Sequence, residues 1–167
     1  MRCVWGLILF LGLASCGFTP LQGVGGENNL TNETKYIFVE SIDDKIGMDF
    51  RNSLNKKLNP TGQKTDKKYT LNVVLKQSSV DDQIISSENF STRAKITLIA
   101  NYKLIELKSN TLLLNASANA SGTYNVLKEP YATYTAREKM WGNLTQIVSN
   151  KVSLHIFAYF KHKGFAQ

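Results

Sequence analysis

From Ala94 to Leu104 every second residue is apolar: Ala94, Ile96, Leu98, Ala100, Tyr102 and Leu104 are set against Arg93, Lys95, Thr97, Asn101 and Lys103. Successive side chains of a strand point to opposite faces, so this run fits a strand with one face buried and the other in water. Tyr69, Leu71, Val73 and Leu75 repeat the pattern against Thr70, Asn72, Val74 and Lys76. A third copy runs from Leu112 to Asn125, with Leu114, Ala116, Ala118, Ala120 and Tyr124 on one face. Lys108-Ser109-Asn110 leaves room only for a short hairpin connection. Three consecutive strands therefore form a meander. The alanines of the last one leave space for something bulky, and a helix is the expected filler.

Two other periods supply helices. Ile46, Phe50, Leu54 and Leu58 recur every four residues with Arg51, Asn52, Lys56 and Lys57 between them, the pattern of an amphipathic helix. Asn59-Pro60-Thr61-Gly62 stops it, and a polar loop follows through Lys68. Lys35 to Ile42, β-branched and aromatic, reads as a strand before it. Pro130 closes the strand region, after which Trp141, Leu144, Val148, Val152, His155 and Ile156, with Met140 and Ile147 alongside, form one stripe of a helix from about Thr133 to Phe160. Gly142 is the weak helix former within it. The fold expected is α+β: a four-stranded, mostly antiparallel sheet with two helices packed on one face, in the order β-α-β-β-β-α. A hydrophobic content of 43% against 20% charged residues supplies the core and excludes a disordered polyampholyte.

The first residues follow other rules. Arg2 is the only charge before Glu27, and Cys3 to Ala14 is uncharged and mostly apolar. That is shorter than the roughly 20 residues of a bilayer span and matches a signal peptide. Its ending, Leu13-Ala14-Ser15-Cys16, is similar to the bacterial lipobox, whose cysteine is acylated after cleavage just before it. An ordinary signal peptide ending near a cysteine is the other reading. The lipobox gives residues 1–15 as signal, 16–34 as lipid anchor and Gly/Asn-rich tether, and 35–167 as a single domain. Several acyl chains, at about 0.8 kcal/mol per buried methylene, make such an attachment effectively permanent. Gly17, where an inner-membrane lipoprotein would carry Asp, implies transfer to the outer membrane.

Catalytic chemistry finds little to stand on. Two cysteines and two histidines give neither a disulfide framework nor a zinc site of familiar spacing, and no cofactor motif is present. Asp43-Asp44 and Asp81-Asp82 are sequence neighbours beside turns, where solvated turn residues are expected rather than an acid/base dyad. A non-enzyme is expected.

The lipobox, the Gly17-Phe18-Thr19-Pro20-Leu21 start, the β-α-β-β-β-α order, the Tyr124-Asn125 strand end and Pro130-Tyr131-Ala132-Thr133 opening a helix that finishes in Ala158-Tyr159-Phe160 together resemble the lipopolysaccharide-assembly lipoprotein family, LptE, in its shorter form. The resemblance implies a lipoprotein seated in the lumen of a large outer-membrane β-barrel, LptD, which it helps assemble and plugs, and contact with lipopolysaccharide on its way to the outer leaflet. Members commonly carry a longer polar tail after the last helix; with the sequence stopping at Gln167, no role of such a tail is expected here.

Charge fits that partner. The chain has 20 Lys and Arg against 13 Asp and Glu, a net charge of +7. Such an excess often signals nucleic acid, but a lipid-anchored periplasmic chain rarely meets any, whereas the phosphates of lipid A are anions that Arg and Lys can hold. Arg93, Lys95 and Lys103 alternate on the polar face of one strand, and Arg137 lies near the start of the last helix; these four are the candidate lipopolysaccharide-binding residues, chosen from charge and spacing. The same stripe also reads as a solvated face. Two rival functions remain open: an accessory lipoprotein of an ABC-type lipid-trafficking system, and a periplasmic hydrolase whose site assembles from distant residues.

Overall fold

The computed structural model describes residues 33–63, 65–82 and 92–164. Within them the elements run β1 (Ile37–Val39), α1 (Asp44–Leu58), β2 (Tyr69–Asp82), β3 (Thr92–Glu106), β4 (Thr111–Val126) and α2 (Pro130–Gly164). The four strands form one sheet in the order β1-β2-β3-β4. β1 runs parallel to β2 across the α1 connection, and the other pairs are antiparallel. The α+β class and element order are those expected from the sequence.

Burial follows the alternation. Ala94, Ile96, Leu98, Ala100, Tyr102 and Leu104 are all at most 1% exposed, while Arg93, Lys95 and Lys103 face solvent. Phe50, Leu54 and Leu58 of α1 and Leu144, Val148, Val152, Ile156 and Phe160 of α2 join Ile96, Leu98, Ala100, Tyr102 and Leu104 in one continuous core, so both helices lie on the same face of the sheet. Ala118 is buried with Ala116 and Ala120 packed beside it, small side chains that let α2 come close to β4. Gly122 takes this furthest, since a Cβ there would collide with the Met140 side chain. A register shift between Leu104 and Ile105 accommodates one extra residue of β4 near its start.

Several boundaries differ from the sequence reading. β1 has three residues rather than the eight of Lys35 to Ile42, because only Ile37 to Val39 pair in register with β2. Pro130 follows the end of β4 at Val126 and is itself the first residue of α2, where its missing N–H has no helical partner to lose. The helix therefore begins before Thr133 and continues past Phe160. Ile147 and His155, placed on the apolar stripe by sequence, are exposed. The chain reaches α1 through a sharp reversal at Asp44, whose φ of 69° is left-handed. That reversal folds Ile42 over Gly47, where a Cβ would lie 2.8 Å from the Ile42 carbonyl oxygen. At the other end of α1, Thr34 Oγ1 donates to the Leu58 carbonyl at 2.9 Å and satisfies one of the acceptors a helix leaves open. Among the described residues no helix is long and apolar enough to cross a membrane.

Candidate functional site

The sheet face turned away from the helices is built from the alternate residues of the same three strands, and all its polarity comes from that parity. β4 contributes Asn115, Ser117, Asn119, Ser121, Thr123 and Asn125, each exposed. β3 contributes Arg93, Lys95, Thr97, Asn101 and Lys103, and β2 contributes Asn72 and Lys76. Arg93 stands opposite Asn125, Lys95 opposite Thr123 and Lys103 opposite Asn115. On the β4 side, hydroxyl and amide groups thus stand opposite Arg93, Lys95 and Lys103, and Thr97 and Ser121 share a hydrogen bond of 2.8 Å between them. On the β2 side the register sets Asp82 opposite Arg93, Val80 opposite Lys95 and Asn72 opposite Lys103. Among the described residues, Arg93, Lys95, Lys76 and Lys103 form no ion pair.

The four residues singled out from sequence are not one cluster. Arg93 and Lys95 are two positions apart and so project side by side. Lys103 is eight residues further along, about 27 Å at strand rise. Lys76, which the sequence reading counted only in the overall excess, lies between them, because β2 sets it opposite Ile99. Arg137 belongs to α2, on the helix-covered side, with its guanidinium 5.6 Å from the Tyr134 ring centroid. The outer face therefore carries Arg93, Lys95, Lys76 and Lys103, and Arg137 is separate from it. Cys16 lies outside the described residues.

A second polar group sits between the helices. Lys57 Nζ donates to Ser53 Oγ at 2.6 Å, Ser149 Oγ at 3.2 Å and Gln146 Oε1 at 3.3 Å, beside a cleft of about 300 Å³. Burial, and then the neighbouring Lys56, push the Lys57 pKa down. A lysine this near a serine has the spacing of a Ser–Lys dyad. Here, however, Ser53 is 4% exposed and its hydroxyl also faces Ser149 at 2.8 Å and Gln146 at 3.1 Å. With its bonds committed and its oxygen shielded, it works as a clasp holding α1 to α2. Sequence reasoning passed over it, although Thr145, Ser149 and Ser153 repeat every four residues beside Leu144, Val148 and Val152. Another missed pair is the Tyr102 hydroxyl and His155 Nδ1, 2.5 Å apart, which gives a buried phenol its partner. Burial pushes the Tyr102 pKa up to about 12.

No family model matches the chain. An uncharacterized protein of Rickettsia prowazekii (strain Madrid E), RP188, is 27% identical over 164 residues, covering 98% of this chain and all of the relative. Among solved structures, a protein of Caulobacter crescentus CB15 assigned as a lipoprotein superposes with a TM-score of 0.62 at 16% identity, covering 79% of this chain and 96% of its own. A minor lipoprotein of Acinetobacter baumannii reaches 0.57 at 13% identity over 74% of this chain and 92% of its own. Rare lipoprotein B of Shewanella oneidensis reaches 0.55 at 8% identity over 76% and 96%. At these identities the likeness is one of fold: this chain folds as those three lipoproteins do.

Proposed function

We propose that this protein is a lipid-anchored outer-membrane lipoprotein that assembles and plugs a lipopolysaccharide-exporting β-barrel and helps deliver lipopolysaccharide to the outer leaflet. The observation that carries the reading is the conjunction of a whole-domain lipoprotein fold with Leu13-Ala14-Ser15-Cys16 after a short apolar run. Gly17 supports outer-membrane sorting, and the resemblance to the LptE family supports the barrel as partner. The outer sheet face supports the ligand. Its hydroxyl, amide and cationic groups suit a phosphorylated saccharide, which needs many hydrogen bonds and a few charge-assisted ones. The protein acts by binding and not by catalysis, in keeping with the closed hydrogen-bond set around Ser53 and Lys57.

Detergent solubilisation of native membranes, capture of the tagged protein and mass spectrometry test this. A large outer-membrane barrel should be recovered as the dominant partner. Recovery of a periplasmic or inner-membrane transport complex in its place would sink the barrel reading and favour the ABC accessory.

A further inference from the structure

The end of the domain where the described chain begins is built from several separate segments, and their cations converge there. Lys68 Nζ lies 3.8 Å from the Glu33 carboxylate, and the Lys68 backbone N–H donates to the Tyr36 carbonyl at 3.0 Å. The Lys68 carbonyl in turn accepts the Leu107 N–H at 2.9 Å, which fixes the β3–β4 hairpin beside the start of β1. Tyr69 meets Phe160 edge-on, with ring centroids 5.2 Å apart, and so brings the last turns of α2 to the same end. Lys67, Lys68, Lys108 and Lys161 are therefore neighbours in space although nearly 100 residues separate the first from the last. Leu107 and Leu112, flanking Lys108 on the hairpin, are 48% and 51% exposed. Lys67 and Lys68 also lie over aromatic rings, 3.5 Å from that of Phe38 and 4.1 Å from that of Tyr36.

The geometry points to this end as a docking surface for the anionic headgroups of a phospholipid bilayer, with the hairpin leucines entering the interfacial layer. The inference rests on the proposed acylation of Cys16. Sixteen residues lie between Cys16 and Glu33, and such a segment spans at most about 60 Å. An anchor at one end of it keeps the Glu33 end of the domain, in preference to the opposite end of the long strands, near the membrane. Lysines by an anionic surface gain from its potential, and exposed leucines beside a lysine suit an interface that is apolar below and charged above. The tether makes contacts that would be weak in free solution intramolecular, so a modest surface affinity suffices to orient the domain.

The test uses the chain from residue 16 with Cys16→Ser, which removes the acyl chains, in co-sedimentation with phosphatidylcholine vesicles with and without phosphatidylglycerol. Binding should require phosphatidylglycerol, fall with salt, and weaken at least about tenfold in Lys67→Glu/Lys68→Glu, since each surface cation contributes a factor of about 5. Lys108→Glu provides a second variant at an exposed tip should the first pair disturb folding, and it should weaken binding too. Leu107→Ser/Leu112→Ser should weaken it, and Arg93→Gln/Lys95→Gln on the outer face should not. Equal sedimentation with both vesicle types, or loss confined to the Arg93/Lys95 variant, would overturn the assignment. Barrel capture is scored separately: recovery of a barrel without vesicle binding removes only the docking surface, and vesicle binding without a barrel removes only the proposed function.

Discussion

The two faces of β3 come from one strand and obey different constraints. On the inner face, Ala94 to Leu104 lies under α2 and between the neighbouring strands, and every second residue is sealed from water. On the outer face, Arg93, Lys95 and Lys103 stand opposite Asn125, Thr123 and Asn115 of β4, each short, polar and exposed. Shape restricts what the inner face accepts, whereas charge and hydrogen bonding define what the outer face offers. The difference implies that substitutions inside should act on stability and those outside on binding.

The largest expected effect is on the inner face. Leu144→Asp puts a carboxylate where the leucine is 1% exposed. An unpaired charge in that seam should destabilise the domain by several kcal/mol, a large part of the roughly 5 to 15 available, and thermal melting would register it. A melt unchanged by the substitution would mean that α2 packs elsewhere.

Gly47→Ala should cost less, about 1 to 3 kcal/mol. Its Cβ meets the Ile42 backbone at 2.8 to 2.9 Å, and backbone yields less readily than a flexible side chain. Gly142→Ala changes sign. Nothing lies within 4 Å of a Cβ there, so relief of the helical glycine should stabilise α2 by up to about 1 kcal/mol in denaturant titration. Finding the two alanine substitutions alike would break the distinction between packed and open positions.

Alkaline titration sharpens the same contrast. Tyr102, held by burial, and Tyr69, held first by burial and then by Glu33, both have hydroxyls pushed up to about 12. The folded state thus keeps protons that the unfolded chain releases near 10. Their stabilisation is complete below about pH 10 and is lost as the pH rises through about 12. Melting temperature should fall across that window, and Tyr102→Phe should make the fall shallower. An equally steep fall in the variant would show that Tyr102 does not hold its proton this way.

How much of this could be read in the sequence depended on whether one strand or helix carried the information. The inner face of β3 was complete in the alternation of Ala94 to Leu104, because parity alone decides it. Phe50, Leu54 and Leu58 were readable for the same reason at helical period. Boundaries were less so: the end of β1 depends on where β2 lies, and Pro130 marks a helix start as readily as a strand end. The candidate site was legible only in part. Arg93 and Lys95 followed from parity, but Lys76 joins them through the register of β2 on β3, and Arg137 leaves because its helix covers the other face. The Lys57 clasp and the lysines around Glu33 are meetings of distant segments, for which no local period exists.

The most direct test of this division of labour is a lipopolysaccharide titration of the parent and of Arg93→Gln/Lys95→Gln/Lys103→Gln, with a melt run on both. The account predicts salt-sensitive binding by the parent, since exposed charges are screened beyond about 10 Å at 0.1 M, and several-fold weaker binding by the variant. The melts should agree to within about 0.5 kcal/mol, as is usual for exposed positions. Barrel capture should largely survive, because an extended interface does not depend on one stripe. Equal lipopolysaccharide affinity in the two proteins would contradict the account and leave the outer face as solvated surface.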